Sequence, residues 1–474
     1  MTSASVMLAA RNPRTGLEDY HYAVTTRTEV AAACVQVRSA QPAWRTLGLE
    51  GRSQALRDLS AAFSQYGAEI AAALALDTGR TRIPMIEAGG VQGMIAHNLH
   101  FATAVLAPAN ARNASLPGIS GRTQLVPLPL VGVIAPWNFP LILSMIDTIP
   151  ALIAGCGVVL KPSEITPRYV DPLLKIFASV PALAPVVRVV QGPGSTGADL
   201  IDQVDAVVCT GSVKTGRLVA EHAARRFIPA FLELGGKDAV IICASTDPDL
   251  AAKIVLRSAV QATGQACQSL ERVYVHESLH DRFLQCLLAR SRQITLTCDD
   301  PQGHIGPFIM GRQADIVKDH IDDAVARGAR CELGGHIIER GGRWCEVTVL
   351  SRVRQDMKVM QEETFGPVIP VMPFKDSAQA VALANDSTFG LSANVLSTDL
   401  PEANAIAEQL NAGFISINDC SLSSMVHEFE WEGFNFSGLG RSRMGPAGIA
   451  RYMRVKTIAT QAGEPGDMFK LRDS

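Results

Sequence analysis

This 474-residue chain has no excess of basic residues: 43 lysines and arginines stand against 46 aspartates and glutamates, a net charge of −3. A nucleic-acid surface needs a clear basic excess, so no nucleic-acid partner is expected. None of the ten cysteines forms a C-x-x-C pair, and the N-terminus lacks the charged-then-apolar pattern of a secretory signal. Free thiols in a reducing, cytoplasmic setting are therefore expected. The ten histidines show no metal-ligand spacing, so no metal is expected. His320, on a helix read over Asp315–Arg327, is expected at the surface. Sequence repeats and low-complexity tracts are absent. The apolar run Phe139–Leu160 is broken by Pro140, Asp147, Pro150, Gly155 and Gly157, which argues against a membrane span.

Hydrophobic residues at 47% and charged residues at 19% describe a globular chain. Its length exceeds one ordinary core, so two or three domains are expected. Leu56, Leu59, Phe63, Tyr66 and Ile70 recur at spacings of three and four and predict a helix that Gly79 stops. Leucines alternating with Pro127 and Pro129 in Arg122–Val133 suit an edge strand, because proline cannot donate to a central ladder. From Val131 the pattern changes to short apolar runs: Val131–Ala135, Gly157–Leu160, Val186–Val190, Ala206–Cys209 and Ala239–Cys243. Most are separated by helix-length segments, which predicts doubly wound α/β sheets. Arg272–Val275, Val368–Val371 and Phe414–Ile417 read as further strands, and Val317–Gly328 as a helix. The tail Arg451–Thr460 reads as one more strand, with Glu464–Ser474 loose after it.

Chemistry concentrates in Gly264-Gln265-Ala266-Cys267. Only a thiolate is a good nucleophile, and small neighbours leave the sulfur reachable with a free backbone N–H beside it. Taken alone, such a cysteine reads as a small buried hydrophobe. Around it stand Pro136-Trp137-Asn138-Phe139-Pro140, Lys161-Pro162-Ser163-Glu164, Gly211-Ser212-Val213-Lys214-Thr215-Gly216, Glu233-Leu234-Gly235-Gly236-Lys237 and Glu363-Thr364-Phe365-Gly366-Pro367. In this order and at these separations they resemble the NAD(P)-dependent aldehyde dehydrogenase superfamily, from about Asn12-Pro13 to the Arg441 region.

The resemblance implies roles. Cys267 would be the nucleophile, Asn138 and the Cys267 N–H the oxyanion donors, and Glu233 the general base. Lys161 and Glu164 would hold the adenosine ribose, and Glu363 the nicotinamide ribose. Trp137, Gly211, Ser212, Gly216, Leu234 and Phe365 would line the rest of the cofactor site. Gly192–Gly197 also matches G-x-G-x-x-G after a strand, but the resemblance sends the pyrophosphate to Gly211–Gly216. Without the resemblance, each of these reads as an ordinary turn, surface pair or core residue. NAD is expected over NADP, because Glu164 would face a 2′-phosphate.

The resemblance also implies the architecture. A cofactor domain would take residues 1–111 and 131–238, and a catalytic domain residues 239–436. A β arm of residues 112–130 and 451–474 would pair with another copy into a homodimer or homotetramer. Two rival functions remain on sequence alone: a coenzyme-A-acylating relative, and a non-catalytic protein on the same fold. The presence of Glu233 argues against the first, and that of Cys267 and Glu233 against the second. Two departures from the family pattern stand out. Gln261-Ala262-Thr263 precedes Gly264 where aromatic and Asn residues are usual, and is expected to alter substrate fit. His427–Gly433 carries Glu428, Glu430, Glu432 and Trp431 near the expected substrate mouth. If those carboxylates face the channel, they disfavour aldehydes bearing a second carboxylate. Leu143 and Ile146 are expected as aliphatic channel liners.

Overall fold

The computed structural model describes residues 6–466. The end of the arm assigned above, residues 467–474, lies outside them, as do residues 1–5. A two-stranded hairpin, Met7–Arg11 with Glu18–Ala23, precedes three helices at Arg27–Thr46, Gly48–Thr78 and Ile83–Val105. The first starts at a capping box in which Thr26 and Glu29 satisfy each other's backbone donors. The second carries the expected apolar stripe and stops at Gly79, whose left-handed φ of 66° only glycine adopts without strain. Their apolar faces pack with helix Pro140–Ala154 against the first sheet. That helix takes up most of the broken apolar run and ends at Gly155 before strand Gly157–Lys161. Among the described residues no helix is long and apolar enough to cross a membrane.

The first sheet has six strands in the order Gly438–Leu439, Ala230–Glu233, Ala206–Thr210, Leu130–Ile134, Gly157–Lys161, Val187–Val189. The last five are parallel and near-continuously apolar, as strands covered on both faces must be. Gly438–Leu439 closes one edge antiparallel to Ala230–Glu233. The chain leaves Leu130–Ile134 towards one side and returns to Ala206–Thr210 on the other. These neighbouring strands form the switch point outside which open α/β sheets bind ligands.

The second sheet has seven strands: Arg330–Leu333, Thr348–Ser351, Val368–Phe374, Leu270–His276, Asp238–Ile242, Ser392–Leu396, Phe414–Ile417. All but the first run parallel. Glu233 ends a strand of the first sheet and Asp238 begins a strand of the second, so only four residues connect the sheets. A third, three-stranded sheet pairs Ile119–Pro127 with Met453–Gln461 over nine positions, with Arg112–Asn113 along part of its far edge. The sequence reading of α/β sheets with a small β arm agrees with this architecture.

Candidate active site

A cavity of about 1320 Å³ opens at the switch point of the first sheet and reaches Cys267. Trp137 and Asn138 enter it from the turn after Leu130–Ile134, Lys161 from the end of strand Gly157–Lys161 and Glu164 from the turn after it, and Gly211 and Ser212 from the turn after Ala206–Thr210. Leu234, Glu363 and Phe365 complete its inner end. Two residues singled out from sequence stand back from it. Gly216 lies in the first turn of helix Val213–Arg226, where a Cβ would fall 2.5 Å from Leu234, so its smallness seats Leu234. Glu233 is buried beneath the wall. Gly194, Ser195 and Gly197 of the other glycine-rich turn also face the cavity.

The nucleophile's loop is held in a costly conformation. Ala262, Thr263 and Gly264 are consecutive left-handed residues, with φ of 57°, 63° and 68°. For β-branched Thr263 this is strained and must be over-determined by its surroundings. Its hydroxyl donates to the Gly306 carbonyl at 3.0 Å. Gln265 is pinned by its own amide, whose Nε2 donates to the Pro307 carbonyl at 3.2 Å while Oε1 accepts the Ile309 N–H at 3.0 Å. A Cβ on Gly264 would lie 2.3 Å from the Gly366 carbonyl oxygen, so only glycine fits. Ala262 and Thr263 are buried and do not line the cavity. Of Gln261-Ala262-Thr263, the two buried residues therefore bear on the nucleophile's loop from behind, while Gln261 is exposed.

Asn138 meets this loop directly, its Nδ2 donating to the Gln265 carbonyl at 3.1 Å. Buried Arg80 ties the two segments together from behind, donating to the carbonyls of Asn138 and Ala262. Glu87 accepts the N–H groups of Leu141 and Ile142, two of the orphan donors at the start of helix Pro140–Ala154. Burial pushes the Glu87 carboxyl up to about 7, against the opposing pull of Arg80.

A second clamp holds the Glu363–Phe365 turn. Glu271 accepts the backbone N–H groups of Thr364 and Phe365, each at 2.7 Å. Fully buried Lys237 donates to Glu271 at 2.6 Å and to the Thr364 hydroxyl at 2.9 Å. His320 joins this network 3.1 Å from the same hydroxyl and is 2% exposed, which corrects its expected surface position. It shares a helix face with Val317, Ile321 and Ala324, all buried. Phe365, itself at φ 53°, meets Trp137 edge-on with centroids 5.5 Å apart. Gly236 passes between two functional groups: its N–H donates to Glu363 at 3.1 Å, and a Cβ on it would lie 2.3 Å from the Cys267 carbonyl.

Electrostatics sets the resting state. Cys267 is partly exposed, and its thiol is pushed up to about 12, by burial first and then by Asp238 and Glu363, with Arg443 working the other way. Burial, then Glu271, raises Glu363 to about 8. Glu233 is raised by burial and lowered by Arg443 and Arg451. Behind Glu233 lies a cluster absent from the sequence reading: buried Asp147 accepts from Arg443 at 2.8 Å and from Arg451. The one sequence signal was Asp147 itself, a lone charge in an apolar helix.

On its other side Cys267 packs against an apolar cluster built on Ile146, Leu391, Trp431 and Met444, with Leu143 and Phe414 beside it. This corrects the acidic-mouth expectation. Glu430 accepts the Ala447 N–H at 2.9 Å and Glu432 the Ser442 N–H at 3.3 Å, so both are committed to backbone donors. Trp431 turns inward onto Phe414, with centroids 6.0 Å apart. All three glutamates are exposed at the surface, and Glu428 accepts the His427 N–H at 3.0 Å and stands 4.0 Å from His97.

The donor set suits a nicotinamide dinucleotide. Glu164, held by Lys161 at 3.0 Å, and Glu363 place two carboxylates on the cavity wall, a chemistry that fits ribose hydroxyls. Ser212 caps helix Val213–Arg226 by accepting the Thr215 N–H at 3.2 Å, and that helix start is a ready anion site. Comparison with known proteins gives the family. A family model described as "Aldehyde dehydrogenase family" matches residues 1–458. The chain is 36% identical over 440 residues to 4,4'-diapolycopene aldehyde oxidase of Methylomonas sp, covering 92% of this chain and 82% of that protein. It is 35% identical over 457 residues to a Mycolicibacterium smegmatis protein named putative succinate-semialdehyde dehydrogenase, with NADP(+) in its name, covering 94% and 87%. A solved structure of putative aldehyde dehydrogenase PutA from Anabaena variabilis superposes with a TM-score of 0.95 at 48% identity, covering 98% of this chain and 100% of that one. Lactaldehyde dehydrogenase from Escherichia coli superposes with a TM-score of 0.91 at 29% identity, covering 97% and 96%.

Proposed function

Because the chain belongs to the aldehyde dehydrogenase family, we propose that it oxidises a neutral, apolar aldehyde to its carboxylic acid with NAD, using Cys267, Asn138 and Glu233. The observation that carries this reading is the place of Cys267. It stands where the nucleotide-sized cavity meets the apolar cluster of Ile146, Trp431 and Met444, on a loop to which Asn138 is hydrogen-bonded.

The Cys267 thiol first gives its proton to solvent, against the upward pull of burial, and the thiolate then adds to the aldehyde carbon. The carbonyl oxygen becomes an oxyanion held by the Asn138 amide and the Cys267 N–H. NAD held by these residues would supply the hydride acceptor that turns the adduct on Cys267 into a thioester. Glu233 then takes a proton from water, the water oxygen adds to the thioester carbon, and the acid leaves as the thiolate returns. Lys161 and Glu164 would hold the adenosine ribose, Ser212 and the helix start behind it the pyrophosphate, and Glu363 the second ribose. The preference for an apolar aldehyde rests on the side chains beside Cys267. We also read the arm as a contact between copies, because its paired strands leave outer edges uncovered and Val455 is 65% exposed.

The test is a panel of aldehydes followed by NADH absorbance, with Cys267→Ser alongside. Hexanal or benzaldehyde should exceed succinate semialdehyde in kcat/KM, added coenzyme A should leave NADH formation unchanged, and Cys267→Ser should bind NAD without turning over. A Cys267→Ser enzyme with a tenth of the wild-type kcat would remove the nucleophile assignment.

A further inference from the structure

Glu233 is the one member of the proposed machinery that does not face the cavity, and its carboxylate makes no hydrogen bond among the described residues. Its nearest charged partner is Arg443, whose Nε lies 3.7 Å from Glu233 Oε1. That Nε is itself buried without a hydrogen-bond partner. The remainder of the guanidinium is fixed: Nη2 donates to Asp147 at 2.8 Å and to the Thr210 hydroxyl at 2.6 Å. Arg451 binds the other oxygen of Asp147 and donates to the Tyr452 hydroxyl at 2.8 Å. The groups acting on Glu233 are thus Arg443 and Arg451 as cations, Asp147 as a buried anion and Glu432 from the adjoining loop.

From this we infer that Arg443 is a positioning residue for Glu233, a buried cation that keeps the carboxylate ionised and parked beside the site without locking it. The reasoning has two parts. First, an isolated buried carboxylate protonates, and a protonated Glu233 cannot accept a proton from water. Asp147 and Arg451 neutralise each other, which leaves the Arg443 charge to offset that of Glu233. Second, 3.7 Å is beyond hydrogen-bond range, so the pair attracts without a directional bond to break. A carboxylate bound through a bidentate fork would be slow to leave for the thioester. Asp147 and Thr210 hold the guanidinium so that only Nε is turned to the base.

This inference rests on Glu233 being the base. Three variants are measured together by pre-steady-state NADH formation and by the pH dependence of kcat. Glu233→Gln tests the base itself: a burst near one equivalent followed by a stall is required, and undiminished turnover would overturn the base and not merely its partner. Arg443→Met should keep the burst and move the acid limb of kcat up by about one pH unit, a tenfold loss at a fixed pH on that limb. Arg443→Lys, which keeps the charge, should restore most of that shift. If Glu233→Gln stalls while Arg443→Met folds and shows the wild-type acid limb, the role of Arg443 is refuted. Should Arg443→Met fail to fold, the near-isosteric Asp147→Asn gives the opposite sign. It removes an anion facing Glu233 and should move the acid limb down, and an unmoved or raised limb would refute the proposal.

Discussion

At the scale of one residue, the proposed base Glu233 is expected to separate the two halves of the reaction. Forming the thioester needs the thiolate, the oxyanion donors and the hydride acceptor, whereas hydrolysis needs an activated water. Glu233→Gln is expected to release one NADH per site and then slow by about 10²–10⁴-fold, the usual cost of losing a general base. The stalled thioester should add the acyl mass to the peptide holding Cys267, and an unmodified peptide during the stall would contradict the assignment. The pH sign follows from burial. Because burial holds Glu233 above the ordinary carboxylate range, it gains its proton at a higher pH than a solvated glutamate. Turnover should therefore fall on acidification while pH is still above that range. A kcat flat down to the pKa of a solvated glutamate, about 4.3, would contradict this. We assign the choice of cofactor to one residue as well. A 2′-phosphate would meet Glu164, partly neutralised by Lys161 at 3.0 Å. NAD should be preferred by about tenfold, roughly 1.4 kcal/mol. Glu164→Gln should narrow that gap by freeing Lys161, and a kcat/KM ratio unchanged in the variant would exclude Glu164 as its source. Cys267, Asn138 and Glu233 stood out in the sequence because each sits in a short run of distinctive residues. Arg443 and Asp147 did not, because their contact spans 296 positions and neither has local company to mark it.

At the scale of elements, the parallel strands were legible because full burial leaves continuous apolar runs. Phe414–Ile417 was read with the observed bounds, and Leu130–Ile134 began one residue earlier than read. The loop before Cys267 was not legible. Its conformation is three left-handed residues, two of which no propensity would place there, held by hydrogen bonds to Gly306, Pro307 and Ile309. Gly264 gives the test. It sits at φ +68° with backbone 2.3 Å from where a Cβ would be, and backbone has little room to yield. Gly264→Ala should lose about 1–3 kcal/mol from the dihedral alone, before any steric cost, and turnover should fall with the displaced loop. Gly93, inside a helix with nothing within 4 Å of an added Cβ, is the control. Gly93→Ala should melt at or slightly above the wild-type temperature, since alanine is the better helix former by about 1 kcal/mol. A Gly264→Ala protein melting with wild type at full kcat would show that the loop has slack the contacts do not reveal.

At the scale of the molecule, two sheets face each other across four residues. The first offers its carboxyl ends, with Asn138 and Glu233, and the second its amino ends, with Cys267 before Leu270–His276 and Glu363 before Val368–Phe374. The arm is rooted in the same place. Arg451 and Tyr452, both buried on Asp147, immediately precede strand Met453–Gln461, which leaves the body to pair with Ile119–Pro127. A ribbon of two long strands with only a two-residue third has too little core to hold its shape alone in water, so covering its open edges with a second copy is the natural resolution. Removing residues 454–474 keeps Arg451, Tyr452 and the whole network behind Glu233 while deleting almost all of the strand. The intact chain should sediment as a dimer or larger, and the truncated chain as a smaller species, with strand Ile119–Pro127 newly exposed to protease. Because Asp147 keeps both arginines, the truncated protein should still give the NADH burst. An unchanged sedimentation mass after truncation would show that the arm does not join copies. A lost burst in a folded, truncated chain would show instead that the arm supports the site itself.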